Sequence, residues 1–239
     1  MSSLLELDRL SVSYGGMTAL SQVSLQVPEG CVVALLGSNG AGKTTTLRTI
    51  SGLVRPAGGD IRFRGRSIAG LPPHRIAALG VVHVPEGRGI FRSLTVIENL
   101  QMASYGRAAA GSHRDIEAAV EMFPVLGRRL NQAAGTLSGG EQQMLALARA
   151  FAAEPVLLML DEISMGLAPA INAQLFATIR SVAERGISML LIEQYVDAAL
   201  ALADYCYVLE KGRIVDVGEP EDLRHSEALT AAYLGAGVT

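Results

Sequence analysis

Several things are scarce in this chain of 239 residues, and each scarcity narrows what the protein can be. It has two cysteines, Cys31 and Cys206, each in an apolar run that reads as a buried strand. Two such thiols imply no disulfide framework and suit a reducing cytosol. Charged residues make up 18% against 49% hydrophobic, the reverse of the balance that keeps a chain disordered. The net charge is −3 and the sequence pI about 5.8. That argues against a nucleic-acid partner held mainly by phosphate contacts, which needs a clustered basic surface. The one basic cluster is Arg62, Arg64 and Arg66 in IRFRGR, and strand alternation would set all three on one solvated sheet face. Long apolar runs are missing too: residues 31–36 and 156–160 fall far short of the roughly 20 that a membrane-crossing helix requires. The start, MSSLLELDRL, carries acidic residues and no long apolar region, so no signal peptide is expected. A soluble protein is expected, with any membrane part of its work on another chain.

What is present is a rhythm of strands and helices. LLELDRLSVSY and ALSQVSLQV alternate with period 2 and read as antiparallel strands. CVVALLG, VLLMLDE and ISMLLIE are apolar at nearly every position, as strands buried on both faces would be. IRFRGRSI and GVVHVPEG read as further strands, and YCYVLEKGRIVDVG as a hairpin turned at Lys211-Gly212. Thr95–Glu98, Ser112–Asp115 and Ser138–Glu141 have the spacing of helix capping boxes, and no strand pattern falls between about 92 and 135. The tail from 225 reads as a short helix that frays. Strands alternating with helices predict an α/β fold with a mainly parallel sheet, an N-terminal antiparallel β subdomain and a helical insert. The expected division is one domain, with a core of 1–85 and 154–239 and a helical part of 86–153.

Three segments carry chemistry. Gly37-Ser38-Asn39-Gly40-Ala41-Gly42-Lys43-Thr44 fits G-x-x-x-x-G-K-[ST], between a buried strand and a helix over 44–50. Its glycines let successive backbone N–H groups wrap an anion, and the helix aims its positive end at the same phosphates. Lys43 would reach the β and γ phosphates, and the Thr44 hydroxyl would ligate Mg²⁺. Thr45 is counted in the same binding set. Asp161 and Glu162 end a buried strand, where open α/β sheets bind ligands. Asp161 would hold Mg²⁺ through water and Glu162 would polarise an attacking water. Ser138, Gly139 and Gly140 open a helix in LSGGEQ and form a second candidate anion site.

LSGGEQ lying between a phosphate loop and a Leu-Leu-x-Leu-Asp-Glu strand resembles the signature of ABC (ATP-binding cassette) ATPases, over essentially the whole chain. The resemblance implies a P-loop NTPase core that binds ATP and Mg²⁺ and hydrolyses ATP. It implies that Tyr14 stacks on adenine, and that the signature meets the γ-phosphate held by a second cassette, two subunits sandwiching two ATP head to tail. The sequence departs from the common pattern at Glu86 in VPEGR, where Gln is usual and senses Mg²⁺ and the membrane partner. It departs at Gln194, where His is usual, and at Ala168, where Asp is usual. A carboxylate at 86 accepts only, and so favours Mg²⁺ or its waters. An amide at 194 can donate to a γ-phosphate oxygen but does not titrate near neutral pH.

These three departures together are similar to the ATPase subunits of high-affinity branched-chain amino-acid importers. Ile163 departs even there, where Pro usually follows the catalytic Glu. The resemblance implies a peripheral protein on the cytoplasmic face of the membrane. Its partners would be a sister or identical ATPase subunit, permease subunits pressed by 86–105, and indirectly a solute-binding protein. The alternatives are a urea or amide importer ATPase, or a non-transport ABC ATPase acting on ribosomes or DNA. The latter usually carry two cassettes or a long coiled coil, both missing from this sequence.

Overall fold

The computed structural model describes residues 3–87, 89–104 and 113–234. In chain order, β1 (Ser3–Tyr14) and β2 (Met17–Pro28) form an antiparallel hairpin, and β3 (Val32–Leu36) runs into helix α1 (Lys43–Ile50). β4 (Gly58–Phe63) and β5 (Arg66–Ser67) follow, then α2 (Pro73–Ala78) and β6 (Val81–Val84). A helical stretch holds α3 (Val96–Gln101), α4 (His113–Met122), α5 (Pro124–Gly127) and α6 (Gly139–Ala152). The chain then alternates through β7 (Leu157–Asp161), α7 (Pro169–Ala183), β8 (Ser188–Ile192) and α8 (Val196–Leu202). It closes with the hairpin β9 (Tyr205–Glu210) and β10 (Arg213–Gly218) and two short helices, α9 (Pro220–Leu223) and α10 (Glu227–Leu234).

Two sheets result. One is antiparallel, in the order β2-β1-β4-β5; the other has the order β10-β9-β3-β8-β7-β6 and is parallel except at its β9–β10 edge. The central strands are apolar at nearly every position because each feeds two cores. Val33 and Leu35 of β3 face the antiparallel sheet and join Leu5, Leu7, Leu10 and Leu25. Ala34 and Leu36 face the other way, with Leu158, Leu160, Met189 and Leu191, toward α6 and α7. Truncating a fully buried leucine here, such as Leu35→Ala, would cost about 2–5 kcal/mol.

The helical stretch is organised by polar devices. Thr95 caps α3 in a reciprocal box with Glu98, as its spacing predicts. The fully buried Asn99 donates from Nδ2 to the carbonyls of Phe91 and Thr95, and its Oδ1 accepts the Phe91 N–H, fixing 91–95. From α6, Arg149 lies 4.9 Å over the Phe91 ring and donates to the Gly89 carbonyl, so the segment after Glu86 leans on that helix. Ser112, the cap of the box expected at 112–115, and the tail beyond 234 lie outside the described residues.

Two expectations need correction. IRFRGRSI is not one strand: the chain reverses at Arg64 and Gly65, which adopt φ values of 51° and 73°, and Arg62 and Arg66 fall on neighbouring strands β4 and β5. The three arginines therefore share no strand face. Cys31 stands before β3 and is only half-buried, whereas Cys206 is fully buried in β9.

Candidate active site

The parallel strands β3, β8, β7 and β6 all release the chain at the same edge of the sheet. That shared direction gathers segments far apart in sequence: the loop 37–42 after β3, Asp161-Glu162 at the end of β7, Glu193-Gln194 after β8, and Pro85-Glu86 after β6. It is the edge where open α/β sheets bind ligands.

The loop after β3 needs glycine for reasons of space. A Cβ on Gly37 would meet the Leu209 carbonyl oxygen at 2.2 Å. Gly42 caps α1 with φ 111°, and a Cβ there would lie 2.6 Å from Leu20 Cδ2. The loop is thus pinched between β2 and β9. Lys43 is 4% exposed; its ammonium donates to the carbonyls of Gly37 (2.9 Å) and Ser38 (3.1 Å) and pairs with Glu162 at 3.3 Å. On the next residue, the Thr44 hydroxyl donates to Asp161 Oδ1 at 3.0 Å.

Asp161 is almost fully buried, and burial pushes its acid pKa up; the Thr44 hydrogen bond opposes this, while the carboxylates of Glu162 and Glu86 add to it. Glu86, exposed on its turn, is therefore electrostatically part of the same cluster. Glu162 carries a left-handed backbone, φ 46°, with its N–H on the Ile192 carbonyl at 2.9 Å. A non-glycine residue rarely adopts that conformation, and such strain collects at functional sites.

Other expected residues stand farther out. Gln194 follows β8 at the same edge and is exposed. Tyr14 is 43% exposed at the tip of the β1–β2 hairpin, whose Leu20 packs beside Gly42. Asn39 and Gly40 form the exposed crest of the loop, and Thr45 sits one residue into α1 beyond Thr44. Ser138 caps α6 in a full box with Glu141, itself paired with Arg129 at 3.0 Å. Gly140 lets α6 approach α7, since a Cβ would meet Ile171 at 2.5 Å. Among the described residues, no hydrogen bond or ion pair joins Ser138, Gly139 or Gly140 to the loop 37–44.

A sequence model of the ABC transporter family matches residues 20–164, from β2 through the turn after Glu162. The chain belongs to the ABC transporter family. It is 44% identical over 232 residues to the high-affinity branched-chain amino acid transport ATP-binding protein BraG of Pseudomonas aeruginosa, covering 97% of this chain and 100% of BraG. It is 35% identical over 249 residues to BraF of the same organism, which carries the same description, covering 97% of this chain and 98% of BraF. Among solved structures, the ADP conformation of MJ1267, an ATP-binding cassette of an ABC transporter, superposes with a TM-score of 0.87. There the identity is 25%, over 98% of this chain and 100% of that one. The fold is accordingly the α/β P-loop cassette with an antiparallel N-terminal sheet, and the chain binds ATP.

Three residues of this cassette escape a reading of motifs. His83 on β6 lies 4.0 Å from Asp161, with Nδ1 on the Ser51 hydroxyl at 2.9 Å; burial, aided by Arg48, pulls its pKa down to about 4, so the ring is neutral. Tyr233 of α10 accepts the Gly37 N–H on its hydroxyl at 3.1 Å, bracing the start of the phosphate loop. Glu193, fully buried, accepts hydrogen bonds from Ser164. The only signal for Glu193 was a charged residue closing an apolar strand.

Proposed function

We propose that this chain is the ATP-hydrolysing subunit of an importer for branched-chain amino acids. The observation that carries the chemistry is the pairing of the buried Lys43 with Glu162 and of Thr44 with the buried Asp161, which joins the phosphate loop to the end of β7. Lys43 and the backbone N–H groups of 38–44 bind the phosphates of ATP. Glu162 accepts a proton from the attacking water, and the Gln194 amide donates to a γ-phosphate oxygen. Tyr14, exposed at its hairpin tip, stacks on adenine. Catalysis of this kind is mostly positioning and charge stabilisation.

Thr44 and Asp161 would hold Mg²⁺, with Glu86 accepting from its waters. Among the described residues no cluster of three His, Cys, Asp or Glu side chains is arranged for a metal. A hydroxyl and a buried carboxylate 3.0 Å apart fit instead an ion that fills its shell with water and phosphate oxygens. Bound there, the ion would neutralise phosphate charge.

Ser138, Gly139 and Gly140 act on the ATP of a second cassette, a sister subunit or a copy, head to tail. Residues 86–153 make up the proposed helical part, which meets permease subunits through 86–105, and 1–85 with 154–239 the nucleotide-binding core. No helix among the described residues is long and apolar enough to cross a membrane. The proposed permease is another chain, with this subunit peripheral on the cytoplasmic face. A solute-binding protein acts indirectly, and no nucleic acid is involved. The cargo rests on the full-length similarity to BraG.

Uptake of labelled leucine, isoleucine and valine, with urea alongside, tests the proposal in cells carrying the native chain or Glu162→Gln. Selective loss of branched-chain uptake supports motor and cargo together. Loss of urea uptake alone replaces the cargo, and unchanged uptake of all four removes the branched-chain cargo and leaves the ATPase.

A further inference from the structure

We infer that Glu193 is a positioning residue for ATP hydrolysis, its carboxylate tying the turn that carries Glu162 to the turn that carries Gln194. The inference rests on the proposed roles of those two residues. Its basis is geometric. Glu193 directly follows β8, the strand between β3 and β7, and its side chain is fully buried. One carboxylate oxygen accepts the Ser164 backbone N–H at 3.2 Å, and the other accepts the Ser164 hydroxyl. Glu193 itself begins the turn after β8, and Gln194 is the next residue along it. Ser164 is 1% exposed and lies two residues after Glu162. A side chain rooted in one turn therefore holds the backbone and hydroxyl of the other.

The turn after β7 needs such a restraint. Glu162 sits in a left-handed conformation that persists only where its surroundings over-determine it. The Glu162 N–H to Ile192 carbonyl bond holds one side of the turn, and the Ser164 bonds to Glu193 hold the other. Ile163 between them leaves its own φ free, as proline would not.

A carboxylate is a costly way to fill a core unless its hydrogen bonds are wanted. Burial pushes the Glu193 acid up to about 7; the Ser164 bonds and the Gln194 backbone N–H oppose this and the Glu162 charge adds to it. Besides Glu162, the Tyr233 phenol faces Glu193 electrostatically. Among the described residues, no hydrogen bond joins Glu193 to the loop 37–42. Its effect therefore falls on kcat and not on ATP affinity.

The test uses the full chain in the assembly that hydrolyses ATP. Steady-state turnover and equilibrium binding of a fluorescent ATP analogue are measured for the native chain, Glu193→Ala, Glu193→Gln, Ser164→Ala and the Glu193→Ala/Ser164→Ala pair, with folding checked by thermal denaturation. The expected result is a fall in kcat of about 10–100-fold for Glu193→Ala. Glu193→Gln and Ser164→Ala should lose less, analogue affinity should stay within about twofold, and the pair should be no worse than Glu193→Ala alone. The native pH–rate profile should carry an inflection near neutrality that Glu193→Gln abolishes. Unchanged kcat per folded molecule, a matching loss of ATP affinity, or losses that multiply in the pair would overturn the inference. If Glu193→Ala does not fold, Glu193→Gln and Ser164→Ala decide by the same criteria. Glu162→Gln serves as the control: native turnover in that variant sinks the role of Glu162 itself, a result separate from any at Glu193.

Discussion

The phosphate-loop end and the signature end of this cassette are both glycine-rich helix openings, yet they are finished differently. At the loop, polar side chains meet carboxylates that arrive from the distant end of β7: the buried Lys43 pairs with Glu162 and also donates to two carbonyls of its own loop, and Thr44 donates to Asp161. At the signature, Ser138 is exposed and its hydrogen bonds close locally with Glu141, three residues on. The first is a site assembled within one chain. The second is a preformed helix terminus turned outward, with its own N–H groups open beyond the cap. In the proposed dimer, the outward terminus of one subunit completes the assembled site of the other.

The sharpest way to break this comparison is to disable the assembled end alone. Glu162→Gln keeps the shape and removes the base, so ATP turnover should fall about 10²–10⁴-fold while ATP binding remains. Binding and hydrolysis assays on the same preparation separate the two. Loss of binding together with turnover would instead mean that Glu162 matters mainly as the partner of Lys43.

The outward end should behave the opposite way. Ser138→Arg places bulk and charge on an exposed cap. ATP binding by the isolated subunit should be unchanged, turnover should drop about 10²-fold or more, and ATP-driven association by light scattering should disappear. Undiminished association would show that the signature is not at the subunit interface.

How far these two ends were legible in the sequence follows from the same contrast. Local devices were readable: the glycine-lysine-threonine loop, the apolar strands that feed two cores, and the boxes at Thr95 and Ser138, where the pattern and the bonds lie within four residues. Devices made by register were not. Glu193 reaches Ser164 because β7 and β8 are parallel neighbours with Asp161 opposite Ile192, and nothing near Glu193 in sequence announces it. His83 beside Asp161 depends likewise on the β6–β7 pairing. The arginine run misled for a different reason. Its alternation is that of a strand, but Gly65 permits a reversal that the side-chain pattern conceals.

A smaller effect probes the buried carboxylate through stability. Burial raises the Glu193 acid from 4.5 to about 7 in the folded state, so between those values the native chain holds a proton that the unfolded chain has lost. The corresponding stability is fully present below about 4.5 and is lost as pH rises through 7, on the order of 3 kcal/mol at most. His83, held down to about 4 from 6.5, works in the other direction, its contribution lost as pH falls through that range. Because His83 is common to both proteins, the stability difference between the native chain and Glu193→Gln isolates the carboxylate. Urea denaturation at pH 5 and pH 8 should show the native chain losing ground to the variant at the higher pH, and parallel pH dependences would refute the shift.

The smallest effect compares like with like. Thr95 and Ser138 cap α3 and α6 with the same reciprocal box, each hydroxyl accepting an N–H at 3.3 Å from a glutamate three residues on. Removing either hydroxyl deletes one acceptor at a helix start, so Thr95→Ala and Ser138→Ala should each cost about 1 kcal/mol in denaturation experiments. Their effects on turnover should part company. The Thr95 hydroxyl bonds only with Glu98 of its own helix, and its loss should leave kcat per folded molecule within about twofold. Ser138 also presents its hydroxyl toward the second subunit's phosphate in the proposed dimer, so its loss should lower kcat about tenfold, the worth of one hydrogen bond to a charged group. Equal kcat values in the two variants would mean that the serine is a cap and nothing more, leaving the backbone N–H groups of Gly139 and Gly140 to meet the phosphate alone.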